Sequence, residues 1–517
     1  MGSMREWDVV VVGGGHNGLV AAAYLGRAGL SVLVLERLGR LGGATCSALV
    51  FPGVEARLSR YSYLISLLAP KVVADLGLRL DLRRRSIAAC APYDGDALVL
   101  SNVDPERSRE SLRRLAGRDG VRQLEAFEAL ARAYGEAIGP SLLEPLRSRE
   151  DWQATLPDEL WARFVERPLG EALEELIADD LLRGVILTDG KTGVSTEAHD
   201  PRLLQNRIFA YHGTGEWRVP VGGMGALVGE LARVAGEAGV VTMTDAAVER
   251  IEPGEGRHRL EVSLRGHPLE LDARWVLVNA GPQALARMLG RPHRPADEDE
   301  GAVVKANMLL RRLPRLRCGL DPREAFAGTF RINERYSQMQ QAHRDVVAGA
   351  MPDRPPAEVY CHTLTDPSIL SPSLRAAGCH SLTLFGYDIP YRLTRATGPD
   401  TAELVWQRYL AGLDELLDEP FEDCLARDVD GNPCLEVKTA VDLEADLGLD
   451  RGNIFHKAMT WFFADDHDEP GGWGVDTDVP RVYRAGSSAT RGGAVSGVPG
   501  HNAAQRVLAD LRADQLP

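Results

Sequence analysis

Residues 8–36, DVVVVGGGHNGLVAAAYLGRAGLSVLVLE, leave this chain little choice of architecture. Val9 to Val12 are four β-branched residues in succession, the composition of a strand buried on both faces of a parallel sheet. The run breaks into Gly13, Gly14 and Gly15, and Gly18 completes the pattern Gly13-x-Gly15-x-x-Gly18. Each glycine of that pattern has a task. Gly13 makes the tight turn, Gly15 lets backbone approach a pyrophosphate, and Gly18 lets a helix pack close to the strand. Residues 19–28 read as a small-residue helix whose N-terminal N–H groups and dipole would hold phosphates. Gly29 ends it, and residues 31–35 form a second strand. Glu36 closes that strand 23 residues after Gly13, where a carboxylate accepts hydrogen bonds from ribose hydroxyls. A GxGxxG set between strand and helix, with an acid ending the next strand, is the context of dinucleotide binding rather than of a chance glycine turn.

The 517 residues suffice for two or three domains. A formal charge of −15 argues against nucleic acid as a partner, which needs a basic face, and against attachment to anionic lipid. Seven cysteines without a C-x-x-C pair indicate neither a zinc site nor a redox dithiol, and their irregular spacing fits a reducing compartment. No metal site is expected. No apolar run approaches the roughly 18 residues that a membrane span needs. Met1-Gly2-Ser3 ahead of Met4 reads as an expression scar. A cytoplasmic protein is the expectation.

Beyond Glu36 the chain alternates between two styles. Residues 81–218 carry apolar positions at helical spacing, as in 121–138 and 169–182, punctuated by Pro140, Pro145, Pro157 and Pro168. This predicts a mostly helical insertion. Sheet-like sequence resumes at residues 219–225, VPVGGMG, followed by a helix over 226–238 and strands over 247–251, 258–264, 269–271 and 275–278. The short β-rich runs at 305–310, 359–363 and 378–385 suggest an antiparallel sheet, and 401–417 reads as helix. Residues 482–487, VYRAGS, run into the glycine-rich turn GGAVSGVPGHNAA at 492–504, an arrangement that presents backbone N–H groups to anionic atoms.

Gly42-Gly43 after the ribose-binding acid, the blocks FPG at 51–53, SRYSYL at 59–64 and LLAP at 67–70, the middle VPVGGMG block and the final glycine run together resemble the phytoene desaturase and amine oxidase type of FAD-dependent oxidoreductase. Within that family the chain is most similar to the branch of pyridine nucleotide-disulphide oxidoreductase domain-containing protein 2. The branch name implies a cysteine pair, but Cys46 stands alone. The resemblance implies FAD as cofactor and an α/β fold: a discontinuous, doubly wound Rossmann-type FAD domain (4–85, 219–300, 450–517) with an α+β substrate domain built from insertions (86–218, 301–449). It further implies cofactor contacts. Gly13, Gly15, Gly18, Glu36, Gly42 and Gly43 would hold the nucleotide, Val248 would pair with the adenine, and the Asn279-Ala280-Gly281 turn would lie near the cofactor. Gly486, Ser487, Gly493, Val495 and Asn502 would face the flavin.

Candidate reactive residues follow from the same blocks. Related oxidases keep a lysine–water pair near the flavin, which makes Lys305 a candidate base; a strand-edge lysine that snorkels is the alternative. His456 is the leading candidate proton donor or acceptor, with His212 second. Where relatives carry His-Pro, this chain has Thr490-Arg491; Arg491 would either clamp a substrate carboxylate beside the flavin or pin its own loop. The acidic run 465–472, DDHDEPGG, reads as a solvated loop or as an entrance favouring amines, and Trp461, Phe462 and Phe463 as an aromatic wall or as core.

The expected activity is hydride abstraction from an apolar or amine-bearing small molecule, by C–C desaturation or C–N oxidation. With one GxGxxG and no second nucleotide unit, oxygen or a quinone is favoured as electron acceptor over NAD(P)H. A redox-neutral polyene isomerase and a non-catalytic prenyl-binding protein of the GDP-dissociation inhibitor type are the alternatives.

Overall fold

The computed structural model describes residues 5–213, 216–465 and 468–514. Two seven-stranded sheets organise it. The first starts from the valine run. Strand Arg5–Val12 lies between Val32–Leu35 and His267–Val278, parallel to both, and Val482–Arg484 adds a further parallel strand beside His267–Val278. Val241–Met243 extends the other edge, and Ala246–Glu252 and His258–Leu264 form an antiparallel meander outside His267–Val278. Val9 and Val11 face the helices His16–Arg27, Met224–Glu237 and Val498–Ala513, while Val10 and Val12 face the meander and the helix Pro282–Met288. Both faces are therefore covered, which is what an uninterrupted β-branched strand demands.

The second sheet runs in the order Leu435–Lys438, Val304–Leu310, His380–Gly386, Ala357–Tyr360, Thr329–Ile332, Ile87–Tyr93, Asp96–Ser101. All neighbours are antiparallel except Thr329–Ile332 and Ile87–Tyr93, which run parallel. The stretch 81–218 is mostly helical, as expected, but not at its start. Residues 87–101 form a hairpin that completes this sheet; apolar runs this short fit strand and helix periodicities alike. The helical part proper begins at Pro105 with the helix Pro105–Ile138, whose N-cap Asp104 accepts from the N–H groups of Glu106 and Arg107. The expected helix over 169–182 is two, Leu169–Leu176 and Asp180–Lys191, because Asp179 caps a new start on the Leu182 N–H.

Trp461, Phe462 and Phe463 belong to the apolar core of this helical cap, where Phe462 meets Trp152 and Tyr134 edge-on and Phe463 stacks on Trp461. They line no wall of the main cavity. Asp466 and His467 of the acidic run, and Thr214 and Gly215 beside His212, lie outside the described residues. Among the described residues no helix is long and apolar enough to cross a membrane.

Candidate active site

A cavity of about 1100 Å³ opens between the two sheets, larger than the roughly 300–1,000 Å³ of ordinary small-molecule pockets. Its first wall is the glycine loop. Gly13 turns at φ +101°, and a Cβ there would sit 2.6 Å from the Asn279 carbonyl oxygen. Gly18 is tighter still, since its Cβ would meet the Gly13 carbonyl oxygen at 2.3 Å. Gly15 caps the helix His16–Arg27 without a side-chain partner, so Gly15, His16 and Asn17 bring that helix start to the cavity. The second glycine pair is stitched to the first loop: the Gly42 N–H donates to the Gly14 carbonyl at 2.8 Å, with Gly42 at φ +110°.

Glu36 ends its strand with both carboxylate oxygens fixed by backbone. Oε2 accepts from the Gly14 N–H at 2.9 Å and Oε1 from the Leu38 N–H at 2.8 Å. The carboxylate also lines the cavity, so its remaining lone pairs are available to a ligand hydroxyl. Val248 lines the same end, and Ser487 and Val495 line the other, contributed by the C-terminal glycine run.

Five of the expected cofactor residues stand behind this surface rather than on it. Gly18, Gly281, Gly486, Gly493 and Asn502 do not line the cavity. They let its parts pack. A Cβ on Gly281 would run into the Asp450 carboxylate at 2.6 Å, one on Gly486 into Asn279 Oδ1 at 2.7 Å, and one on Gly493 into Met459 and Phe455 at 3.1 Å. Asn502 donates to the Leu142 carbonyl at 3.0 Å and contacts His501 Nδ1 at 2.9 Å. The placement of Arg491 beside the flavin is corrected. Its guanidinium is buried and donates to the carbonyls of Ser141, Glu144 and Trp473 at 2.8, 2.6 and 3.1 Å, which pins the C-terminal loop to the helical cap. Three carbonyls converging from two segments suit the one side chain with five donors.

The opposite wall belongs to the second sheet. Lys305 stands on the strand Val304–Leu310, 2 % exposed, with its Nζ 3.4 Å from the Ser59 carbonyl and 4.3 Å from the centroid of the Tyr63 ring. It forms no ion pair within 4 Å among the described residues, and burial holds its pKa well below that of an ordinary lysine. Tyr63 and Phe385, whose rings lie 5.7 Å apart, continue the wall.

His456 reaches the cavity from the left-handed backbone position φ +67° and His16 from the helix start; His212 lines it from the cap. Burial lowers each of these three imidazoles to about 4, so all are neutral at pH 7. His16 Nδ1 is 3.0 Å from Thr45 Oγ1, whereas His16 Nε2, Asn17 Oδ1 and His456 Nδ1 are buried without partners among the described residues. Such groups cost free energy unless a ligand satisfies them. Three of them around a glycine-walled cavity fit a cofactor with many hydrogen-bonding atoms.

Asn279 was the least legible member of the site. Its Nδ2 donates to the Gly13 carbonyl at 3.1 Å, and the Cβ positions of Gly13, Gly15, Gly18 and Gly486 all point at it. The Asn279-Ala280-Gly281 turn was visible in the sequence, but nothing there tied this amide to Gly13. His16 occupies an unspecified position of the glycine motif, so the pattern carried no signal for it.

Parallel sheet, glycine loop, acid-terminated second strand and C-terminal turn define a protein of the dinucleotide-binding class, with a second sheet across the cavity. Residues 8–126 match the family model described as FAD dependent oxidoreductase. The chain is 44% identical, over 98% of both chains, to an uncharacterized protein of Mycobacterium tuberculosis. It is 29% identical to pyridine nucleotide-disulfide oxidoreductase domain-containing protein 2 of Rattus norvegicus, over 98% of this chain and 94% of the relative. It is also 38% identical to one of the limonene dehydrogenase polypeptides of Castellaniella defragrans, over 28% of each. Among solved structures, putrescine oxidase with bound putrescine shares the fold at a TM-score of 0.56 and 16% identity, over 98% of this chain and 99% of that one. The chain belongs to the FAD-dependent oxidoreductase family, and it is an enzyme whose cofactor is FAD. That membership displaces the non-catalytic prenyl-binding alternative. None of the seven cysteines is paired in a disulfide.

Proposed function

We propose that the protein abstracts a hydride from a neutral, largely apolar small molecule, with C–C desaturation ahead of C–N oxidation, and passes the electrons to oxygen or a quinone. One observation carries the reading: a buried lysine without a carboxylate partner shares a cavity with the nucleotide loop. When bound, FAD supplies the two-electron acceptor for the hydride. The chain supplies position, dryness and a proton acceptor. Tyr63, Phe385 and Phe455 exclude water from the face where a C–H bond must be presented. Lys305, whose pKa burial holds well below that of an ordinary lysine, takes the proton released alongside the hydride, and His456 is a second, neutral acceptor on the cofactor side. Gly13, Gly15, Glu36, Gly42, Gly43, Val248, Ser487 and Val495 are the proposed direct FAD contacts. Gly18, Gly281, Gly486, Gly493 and Asn502 shape the cradle, and Arg491 positions its last loop.

The preference for an apolar substrate rests on the carboxylates. Glu36 and Glu249 lie at the nucleotide end; Glu444 accepts from Tyr391 Oη at 2.6 Å and from the Arg451 N–H at 2.9 Å, and Asp450 accepts from the Gln283 N–H at 2.7 Å. Among the described residues no acid stands on the aromatic wall to hold an ammonium. Anaerobic mixing of the yellow holoenzyme with panels of terpenoid and polyene hydrocarbons, amines and amino acids, followed by absorbance, tests this. Bleaching by the hydrocarbons is the expected outcome. Bleaching confined to amines would reverse the order of the two reactions, and product formation without net electron transfer would establish the isomerase alternative.

A further inference from the structure

The cavity-facing side of the second sheet carries more charge than hydride abstraction uses. Lys305, Phe385, Glu358 and Arg331 stand directly opposite one another across four adjacent strands, so they share one face. Tyr360, two residues beyond Glu358, shares it too. Glu358 is buried. Its Oε2 accepts from the hydroxyls of Tyr360 and, at 2.7 Å, of Tyr387, and its Oε1 lies 3.1 Å from Arg331. Arg331 reaches Glu334 at 2.6 Å, and Glu334 accepts from Thr188 Oγ1 at 3.2 Å. Asp189 interacts with both Arg331 and Glu358 and keeps a partly exposed edge. At the other end, the rings of Tyr360 and Tyr63 lie 4.8 Å apart, and Tyr63 lines the cavity under Lys305.

The charges do not balance. Three carboxyl groups, Glu358, Glu334 and Asp189, face two guanidiniums: Arg331, and Arg85, which lies over the Tyr360 ring at 5.7 Å. His362, 6.1 Å from Tyr360, is driven by burial to about 3 and adds no charge. The missing positive charge comes from Lys305 on the same face or from a proton on one carboxyl. Burial favours that proton, pushing Glu334 upward and Asp189 to about 7.

We propose that Tyr63, Tyr360 and Glu358 form a proton line joining the cavity beside Lys305 to a buried carboxyl store of Glu358, Glu334 and Asp189. The protons that enter are those released beside the cofactor, by the substrate as it gives up its hydride and by the reduced flavin as it is reoxidised, so the line rests on that reading of the site. A proton reaching the Tyr63 oxygen lets Tyr63 pass its own hydrogen to Tyr360, and Tyr360 pass its hydrogen to Glu358 Oε2. One O–H bond forms as each one breaks, both phenols end neutral, and the carboxylate ends as the acid. No oxidant enters the step. Asp189, the least enclosed residue of the three, is the far end of the line.

Tyr387 separates this role from mere bracing, because it makes the same kind of hydrogen bond to the same carboxylate oxygen but does not lie between cavity and store. The holoenzyme is photoreduced without oxygen and mixed with ferricenium, and flavin reoxidation is followed in H2O and D2O. Tyr360→Phe, Glu358→Gln and Tyr63→Phe should slow reoxidation by about tenfold or more and enlarge the solvent isotope effect. Tyr387→Phe should stay within about twofold of the parent. Equal slowing in Tyr387→Phe and Tyr360→Phe, or slowing in none, overturns the line. Infrared spectra of the flavin-free protein at pH 7 read the store directly. A deuterium-sensitive carboxylic acid C=O band, lost in Glu334→Gln or Asp189→Asn, is expected, and its absence overturns the store. Neither measurement needs a substrate. The line can therefore fail while substrate-dependent bleaching succeeds, and the reverse.

Discussion

The two seven-stranded sheets solve opposite problems. The first is apolar on both faces, with Val9 and Val11 turned to the helices and Val10 and Val12 to the meander. Its function is confined to strand ends, at Gly13, Glu36 and Asn279. The second is apolar on one face only. Val304, Ala306, Met308, Leu382, Leu384 and Val359 pack with Trp406 and Tyr409 of the helix Thr401–Asp414, while Lys305, Asn307, Glu358 and Tyr360 occupy the other face. That face is buried as well, so its polar groups must bond to one another or to a ligand. In the proposed reading, cofactor recognition is a matter of backbone at the tips of one sheet, and substrate chemistry a matter of side chains across the breadth of the other.

Substitutions can break that division. Gly18→Val places side-chain atoms where even a Cβ would lie 2.3 Å from the Gly13 carbonyl oxygen; purified protein should be colourless, and a yellow preparation at full occupancy would refute the cradle. Lys305→Met should leave FAD bound and lower substrate-driven flavin reduction by roughly 10²–10⁴-fold. Loss of FAD from this variant would show that the two sheets do not act separately. Glu36→Ala should weaken FAD by about 1–3 kcal/mol, as titration of apoprotein would measure, with the spectrum of the bound form unchanged. Arg491→Met removes three hydrogen bonds that tie the C-terminal loop to the helical cap and should lower stability by roughly 1–3 kcal/mol without altering the flavin spectrum. A shifted flavin potential in that variant would return Arg491 to the active site.

The smallest effect concerns pH. His16, His212 and His456 are lowered by burial from 6.5 to about 4. Between those values the unfolded chain binds more protons than the folded one, so stability falls as pH drops from 6.5 towards 4. Urea midpoints of the apoprotein across that window should show the slope, and His456→Asn should reduce it.

The first sheet was readable because its rules are local. Four valines, a spaced glycine set and an acid at the next strand end state the loop geometry within 29 residues, 8–36. The second was not, because its chemistry depends on register. The alternation Val304-Lys305-Ala306-Asn307-Met308 hints that Lys305 and Asn307 share a face, but only pairing through Phe385 brings Lys305 into line with Glu358. The hairpin at 87–101 was hidden for a similar reason: its partner strand, Thr329–Ile332, lies more than 220 residues later. Arg491 was ambiguous because an arginine's partners here are carbonyls 350 and 347 positions away, which leave no mark on sequence.

The last stretch of chain closes the first sheet. Val482–Arg484 lies against His267–Val278, Ser487 and Val495 face the cavity, and Gly500 allows the helix Val498–Ala513 so near the first helix that a Cβ would sit 2.1 Å from the Asn17 carbonyl oxygen. On the ribosome, where domains fold as they emerge, the helical cap and the second sheet are already outside while this stretch is still being made. With Ser487 and Val495 among the proposed FAD contacts, flavin loading is expected only after this stretch has emerged. Chains released before residue 482 would be folded in part, pale, and distinguishable by absorbance alone from those that reached the end of the final helix.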